Sequence, residues 1–181
     1  LNNISIQDEK IITKIDLEKI IQSGEHSYLE FKSTMRWNME YLKVDKKMEE
    51  VILKSISAFS NGDGGKLLIG VADDGEILGL EEDYNTLKEA NKDFFELHLS
   101  NLINNNFGKE FAVTGINVKF PIFEEKELCE IDIQAGSKPL FVEVTDKNGL
   151  KQKKFYVRSG NSSQELAIDE VSSYIKNRFD N

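Results

Sequence analysis

The junction between residues 44 and 71 limits what this chain can fold into more than any other feature. Val44, Met48, Val51, Ile52, Ser55, Ile56 and Phe59 recur at i, i+4, i+7, i+8, i+11, i+12 and i+15. Lys46, Lys47, Glu49, Glu50 and Lys54 occupy the opposite face, so the segment reads as a helix with one buried stripe. Asn61-Gly62-Asp63-Gly64-Gly65 stops it, and Lys66-Leu67-Leu68-Ile69-Gly70-Val71 follows. Glycines permit positive φ and tight turns, and a nearly continuous apolar run marks a strand buried on both faces. A helix delivered straight into such a strand has to lie across a sheet. The sequence therefore predicts that Val51, Ile52, Ile56, Phe59, Leu68, Ile69 and Val71 are buried together.

The other elements arrange themselves around this junction. Asp16 suits the cap of a short helix that turns Leu17, Ile20 and Ile21 inward and ends near Ser23-Gly24. Residues 1–23 are accordingly read as an N-terminal helical segment and 24–181 as the main domain. Residues 27–32 alternate polar and apolar, the period of a strand with one wet face. The next dozen residues, through Trp37 and Tyr41, have no clean period and read as a loop or irregular helix. Asp73-Asp74-Gly75-Glu76 reads as a hairpin turn with a return strand over 77–80. Asn85 is the expected cap of a second long helix with Leu87, Ala90, Phe94 and Leu97 on its stripe. Strands are predicted over 112–120, 127–133, 140–144 and 154–158. A last amphipathic helix over 168–179 turns Ile168, Val171, Ile175 and Phe179 inward. This order predicts an α+β fold (mixed α/β), a mostly antiparallel sheet covered by helices, and not a regular βαβ alternation.

Charge and cysteine content narrow the function. Lys plus Arg number 23 against 32 Asp plus Glu, a net charge of −9. That balance weighs against coating nucleic acid through charge alone, because counterion release needs clustered cations. It leaves room for an acidic site that recruits a divalent metal. The lone Cys129 excludes an intrachain disulfide framework and a Cys-based zinc cage. Two histidines, His26 and His98, argue against a structural zinc site. No apolar run approaches the roughly 18 residues of a membrane span, and the start has no signal-like pattern. A soluble, cytoplasmic protein is expected, and Leu1 in place of Met suits a piece of a longer one.

Four stretches carry candidate chemistry. Glu25 and Glu30 lie five apart, and Lys32 points to the same face as Glu30 if this is a strand. Such a group could hold a divalent metal and steady a phosphate or an activated water, or it is a salt bridge on a solvated strand. The Asn61–Gly65 loop offers backbone N–H groups to an anion, yet it follows a helix instead of preceding one. No Gly-x-x-x-x-Gly-Lys-[Ser/Thr] is present, so ATP is not expected. Asp74-Gly75 is explained by a turn, whereas Asp73 could meet Glu25 and Glu30. Three carboxylates there would need a cation, and oxygen ligands favour Mg²⁺ or Mn²⁺. Last, Lys153, Lys154, Tyr156 and Arg158 form a basic, aromatic strand suited to phosphates and base stacking. The other reading puts Phe155 and Val157 in the core and leaves Lys154, Tyr156 and Arg158 in water.

Three blocks occur together and in order: Glu25 to Lys32, Ser57 to Gly75, and Phe155 to Ser162. Together they resemble the Schlafen core domain, the Alba-type nucleic-acid-binding domain found widely in bacterial proteins, over about residue 24 to the C-terminal helix. The resemblance implies a mixed α/β fold that binds RNA or DNA. It also implies a metal-dependent endoribonuclease site, acting on tRNA-like or single-stranded substrates, at the positions matching Glu25, Glu30 and Asp73, with Lys32 near the scissile phosphate. Catalytic Schlafens pair two such lobes, so a homodimer is expected of a single lobe. The alternative is a non-catalytic DNA- or RNA-binding or regulatory module of a larger protein.

Overall fold

The computed structural model describes residues 16–180; residues 1–15, most of the expected N-terminal segment, lie outside the described residues. In chain order the elements begin with α1 (residues 16–22), β1 (Leu29–Lys32), β2 (Trp37–Asn38), β3 (Lys43–Val44), α2 (Lys46–Asn61) and β4 (Gly65–Ile69). Then come α3 (Glu81–Tyr84), α4 (Lys92–Phe107), α5 (Lys109–Thr114), β5 (Ile116–Lys119), β6 (Ile122–Phe123), β7 (Lys126–Glu127) and β8 (Cys129–Ile133). The chain closes with β9 (Phe141–Thr145), β10 (Lys151–Ser159), β11 (Ser162–Glu165) and α6 (Ile168–Phe179). The strands form a four-stranded sheet in the order β1-β4-β8-β5, a three-stranded sheet β11-β10-β9, and two small hairpins, β2-β3 and β6-β7. Among the described residues only β1 and β4 pair in parallel; the other ladders are antiparallel. The fold is mixed α+β.

Helix α2 is the central element because both of its sides are covered. Ile52, Ile56 and Phe59 pack on Leu67, Ile69, Cys129, Ile131 and Ile133 of the four-stranded sheet and on Phe95, Leu99 and Ile103 of α4. Leu53 and Ala58 pack on Val142 and Tyr156 of the three-stranded sheet. The helix starts where Asp45 accepts the Lys47 N–H at 2.9 Å, a side-chain cap for an otherwise orphan donor. It ends in a turn that needs glycine. Gly64 has φ +80°, and a Cβ there would lie 2.7 Å from the Ile133 carbonyl. The strand that follows alternates its apolar residues between layers. Leu67 and Ile69 face α2, while Leu68 joins Leu29, Phe31, Val71, Phe123, Leu128 and the α1 residue Leu17 on the far side.

Six of the seven residues expected in the packing of helix on strand are buried, but only four of them, Ile52, Ile56, Phe59 and Ile69, are buried together. Ile52, Ile56, Phe59, Leu68, Ile69 and Val71 are buried, though Leu68 and Val71 belong to the far-side cluster; Val51 is 37% exposed. Other expectations are corrected. Glu30 is buried, so β1 has no wet face. The residues after Lys32 form the β2-β3 hairpin. Ile77 meets Val71 only as an isolated bridge. Asn91, not Asn85, caps α4, accepting the Phe94 N–H at 3.0 Å, and its stripe is Phe95, Leu99 and Ile103. Residues 109–114 are helical, so the strand expected over 112–120 is confined to β5. In α6, Val171, Ile175 and Phe179 are half-buried, but Ile168 points outward at 92% exposure.

Two buried polar side chains, neither singled out by periodicity, tie the layers together. Asp83 on α3 accepts the backbone N–H groups of Met35, Arg36 and Trp37 at 2.6, 2.9 and 3.0 Å. Burial still pushes its carboxyl above the usual range, against the pull of those three donors. Asn61, at the end of α2, donates to the carbonyls of Leu140 and Tyr156, both at 2.9 Å, and accepts the Leu140 N–H at 2.8 Å. Its carbonyl accepts the Tyr174 hydroxyl of α6 at 2.8 Å.

Position 56 tests the two-sided burial of α2. Ile56→Asp removes a side chain worth about 1.5–3 kcal/mol and puts a charge where none can be paired, against a total stability of roughly 5–15 kcal/mol. Chemical denaturation should show loss of the cooperative transition, whereas Val51→Asp one turn away keeps it. Equal behaviour of the two variants would place the core elsewhere.

Candidate functional site

The acidic block sits where β1, α2 and β10 meet. Glu30 projects from β1 toward α2, and Ser55 of that helix donates to its Oε1 at 2.8 Å. Lys32, two residues along the same strand face, places its Nζ 2.8 Å from the same oxygen. The other oxygen accepts Arg158 Nη1 of β10 at 2.5 Å. Arg158 also donates to the His26 carbonyl at 2.9 Å and the Ser163 hydroxyl at 3.3 Å. Its guanidinium carbon lies 4.5 Å from the centre of the Phe59 ring. That stacking leaves Nε buried without a hydrogen-bond partner, and the side chain is only 6% exposed. Glu25 turns inward: its Oε1 accepts the Phe31 N–H at 2.8 Å and lies 4.0 Å from Lys32 Nζ.

These contacts gather three of the four expected catalytic residues, Glu25, Glu30 and Lys32, but not the fourth. Asp73 is exposed on the turn after β4, and among the described residues its side chain makes no hydrogen bond or ion pair. Nor do any three Asp, Glu, His or Cys side chains among the described residues group as metal ligands. A divalent cation needs several oxygens free to converge. Here both oxygens of Glu30 are taken by a serine and two cations, and the Lys32 ammonium occupies the space between the two glutamates. The arrangement of Glu25, Glu30 and Asp73 therefore does not fit Mg²⁺ or Mn²⁺. The physical reason is Arg158, whose role across the interior could not be inferred from the spacing of the acids.

The basic strand is likewise mostly committed. Arg158 serves Glu30. Tyr156 is buried against α2, only 6% exposed, so its ring is closed to a base. Lys154 pairs with Glu165 at 2.8 Å. Lys153 is exposed. Lys153 and Lys154 both line a groove of about 730 Å³ between β10 and α6, with Ile168, Val171 and Ile175 on the helix side. Phe155, Tyr156 and Val157 are all buried, so the strand follows neither alternation: α2 covers one face and α6 the other. His98, expected only as a polar helix position, meets Glu49 of α2 at 2.7 Å. Burial raises the Glu49 carboxyl, but the His98 hydrogen bond, with the His98 and Arg36 charges, outweighs it and holds the group below its usual range. Ser55 was the signal available for the Glu30 network, a hydroxyl in an otherwise apolar stripe.

A buried ion pair is most sensitive to loss of one partner, which costs about 3–5 kcal/mol. Arg158→Met should lower unfolding stability by about that amount. Glu30→Gln combined with Arg158→Met should lose less than the sum of the two single changes, with a coupling of about 0.5–3 kcal/mol. Urea titrations of the four proteins measure it, and strict additivity would show that the two side chains do not act as a pair.

Two comparisons bear on this geometry. The fold is similar to the DIP2311 protein from Corynebacterium diphtheriae, with a TM-score of 0.56 at 16% identity over 94% of this chain. The chain spans 32% of that protein's length. The family described as Schlafen, AlbA_2 matches residues 25–167, from the first glutamate of the acidic block to the residue just before α6. This chain belongs to the Schlafen AlbA_2 family, a nucleic-acid-related group of domains.

Proposed function

We propose that the chain is a nucleic-acid-binding domain that recognises RNA or DNA as a module and does not cut it. The observation that carries this reading is the commitment of Glu30, whose two oxygens accept from Ser55, Lys32 and Arg158. That makes the acidic block a clamp between the two sheets and not a receptor for a cation. Family membership supports the nucleic-acid part of the reading. With a net charge of −9, attraction to phosphates has to come from a local group of cations.

The competing reading is a Mg²⁺- or Mn²⁺-dependent endonuclease using Glu25, Glu30 and Asp73, with Lys32 at the phosphate. It requires Lys32 to leave Glu30 and Asp73 to move in from its exposed turn. A homodimer, which would bring two lobes together, belongs to either reading, and sedimentation at binding concentrations reads it directly.

Incubation with tRNA, single-stranded RNA and single-stranded DNA, with and without Mn²⁺, separates the two. The expected result is binding that weakens with salt, does not depend on Mn²⁺, and leaves the nucleic acid intact. Asp73→Asn is the informative variant because it disturbs no contact of the fold. Mn²⁺-dependent cleavage by the natural protein that disappears in Asp73→Asn would overturn the binding-only reading.

A further inference from the structure

The β2-β3 hairpin is held firmly at its base and presents unpartnered side chains at its tip. Asp83 fixes the three N–H groups that lead into it. Asn38 closes the loop, its Oδ1 accepting the N–H groups of Glu40 and Tyr41, both at 3.0 Å. The Asn38 amide donates to Asp45 at 3.1 Å, while Asp45 caps α2. Leu42 sits at φ 48°, a left-handed conformation that a leucine rarely adopts. The side chains delivered by all this ordering pack on little. Tyr41 is 61% exposed and Leu42 71%, with Met39 and Val44 also exposed.

Three ammonium groups stand at the tip and the adjoining start of α2. Lys43, Lys46 and Lys47 are exposed, and none makes an ion pair among the described residues. Lys43 Nζ lies 5.6 Å from the Tyr41 ring centre. Asp45 caps α2 and feels the Lys43 and Lys47 charges, and Glu49 feels that of Lys46, but neither acid comes within ion-pair distance of the three ammonium groups, which stay open to a ligand. Two of the three lysines of β10 differ: Lys151 is paired with Glu143 and Lys154 with Glu165; the third, Lys153, is exposed. An aromatic ring beside unpaired ammonium groups is what single-stranded nucleic acid requires, since bases stack on the ring and phosphates meet the cations. A protein partner for the apolar residues alone would gain nothing from three lysines.

We propose that this hairpin is the contact surface for single-stranded nucleic acid, Tyr41 stacking on an unpaired base and Lys43, Lys46 and Lys47 holding the adjoining phosphates. The proposal rests on the nucleic-acid reading above and assigns it a surface. Sugar type enters little into such a contact, so oligouridylate and oligothymidylate are both suitable ligands.

Fluorescence anisotropy with labelled 20-nucleotide oligouridylate and oligothymidylate, across a salt series, tests it. Replacing Lys43, Lys46 and Lys47 by Ala should weaken binding by about tenfold or more and reduce the salt slope by about two, at roughly 0.7 per phosphate contact on a single strand. Tyr41→Ala should weaken binding about tenfold with the slope unchanged, and Tyr41→Phe should restore it. Lys153→Ala with Lys176→Ala, in the groove beside α6, should bind as the natural protein does. Circular dichroism on each variant separates loss of contact from loss of fold. If the natural protein binds and the hairpin variants bind equally well, the surface assignment is overturned while the binding reading stands. If the natural protein binds neither oligonucleotide, both fall. If Tyr41→Ala and Leu42→Ser instead abolish self-association seen by sedimentation, with binding unchanged, the tip is a dimer contact and the proposal is overturned.

Discussion

A carboxylate removed from water has to be compensated where it sits, and Glu30 sits where the two sheets and the central helix meet. Its compensation comes from three separate stretches of chain: Lys32 on its own strand, Ser55 on α2 and Arg158 on β10. The requirement acts as a positional constraint. α2 can rotate only as far as the Ser55 hydroxyl allows, and β10 is held at one distance from β1. Pairs of this kind contribute less to net stability than apolar residues of similar volume often would. What Glu30 and Arg158 supply is alignment of layers that apolar packing alone would leave free to slide.

This view changes how the acidic block relates to function. The spacing of Glu25, Glu30 and Lys32 suits an ordinary ion pair more readily than a metal-assisted phosphate site, but admits both. The interior guanidinium favours the ion pair, because Arg158, buried and stacked on Phe59, engages one oxygen of Glu30 while Ser55 and Lys32 engage the other. The acidic surface and the self-neutralised interior together direct attention to exposed cations that make no ion pair among the described residues. Lys43, Lys46 and Lys47, at the β2-β3 hairpin and the start of α2, are three such cations within five residues, beside the exposed Tyr41 ring.

Much of the fold was legible where one period dominates. The α2 stripe and the β4 run announced themselves, as did the resemblance carried by the three sequence blocks. One source of departure is an element covered on two sides. β10 buries Phe155, Tyr156 and Val157 in succession, so alternation could not tell its faces apart, and Tyr156 and Arg158 were assigned to solvent or ligand. The α4 stripe was misplaced because two asparagines, Asn85 and Asn91, both suit a cap, and only tertiary packing selects the second. Asp83 and Asn61 were invisible for a different reason. Their partners are backbone groups 46 to 95 residues away, and backbone groups leave no mark in composition.

The lock on Asn61 also bears on the chemical ageing of the protein. Asn followed by Gly is the pairing most open to deamidation, in which the glycine nitrogen attacks the asparagine amide carbon and ammonia leaves. In the folded chain Asn61 holds three hydrogen bonds through its amide. The Gly62 nitrogen is itself donating to Ala58 and Phe59, so the attack is blocked. Unfolding releases both groups at once. An aspartate or isoaspartate formed at position 61 would lack the two amide donors that Leu140 and Tyr156 require, and the altered chain could not re-form the junction between α2 and the second sheet. Each excursion to the unfolded state thus carries a chance of permanent loss, and the working lifetime of the domain is set by how often it opens as well as by its equilibrium stability.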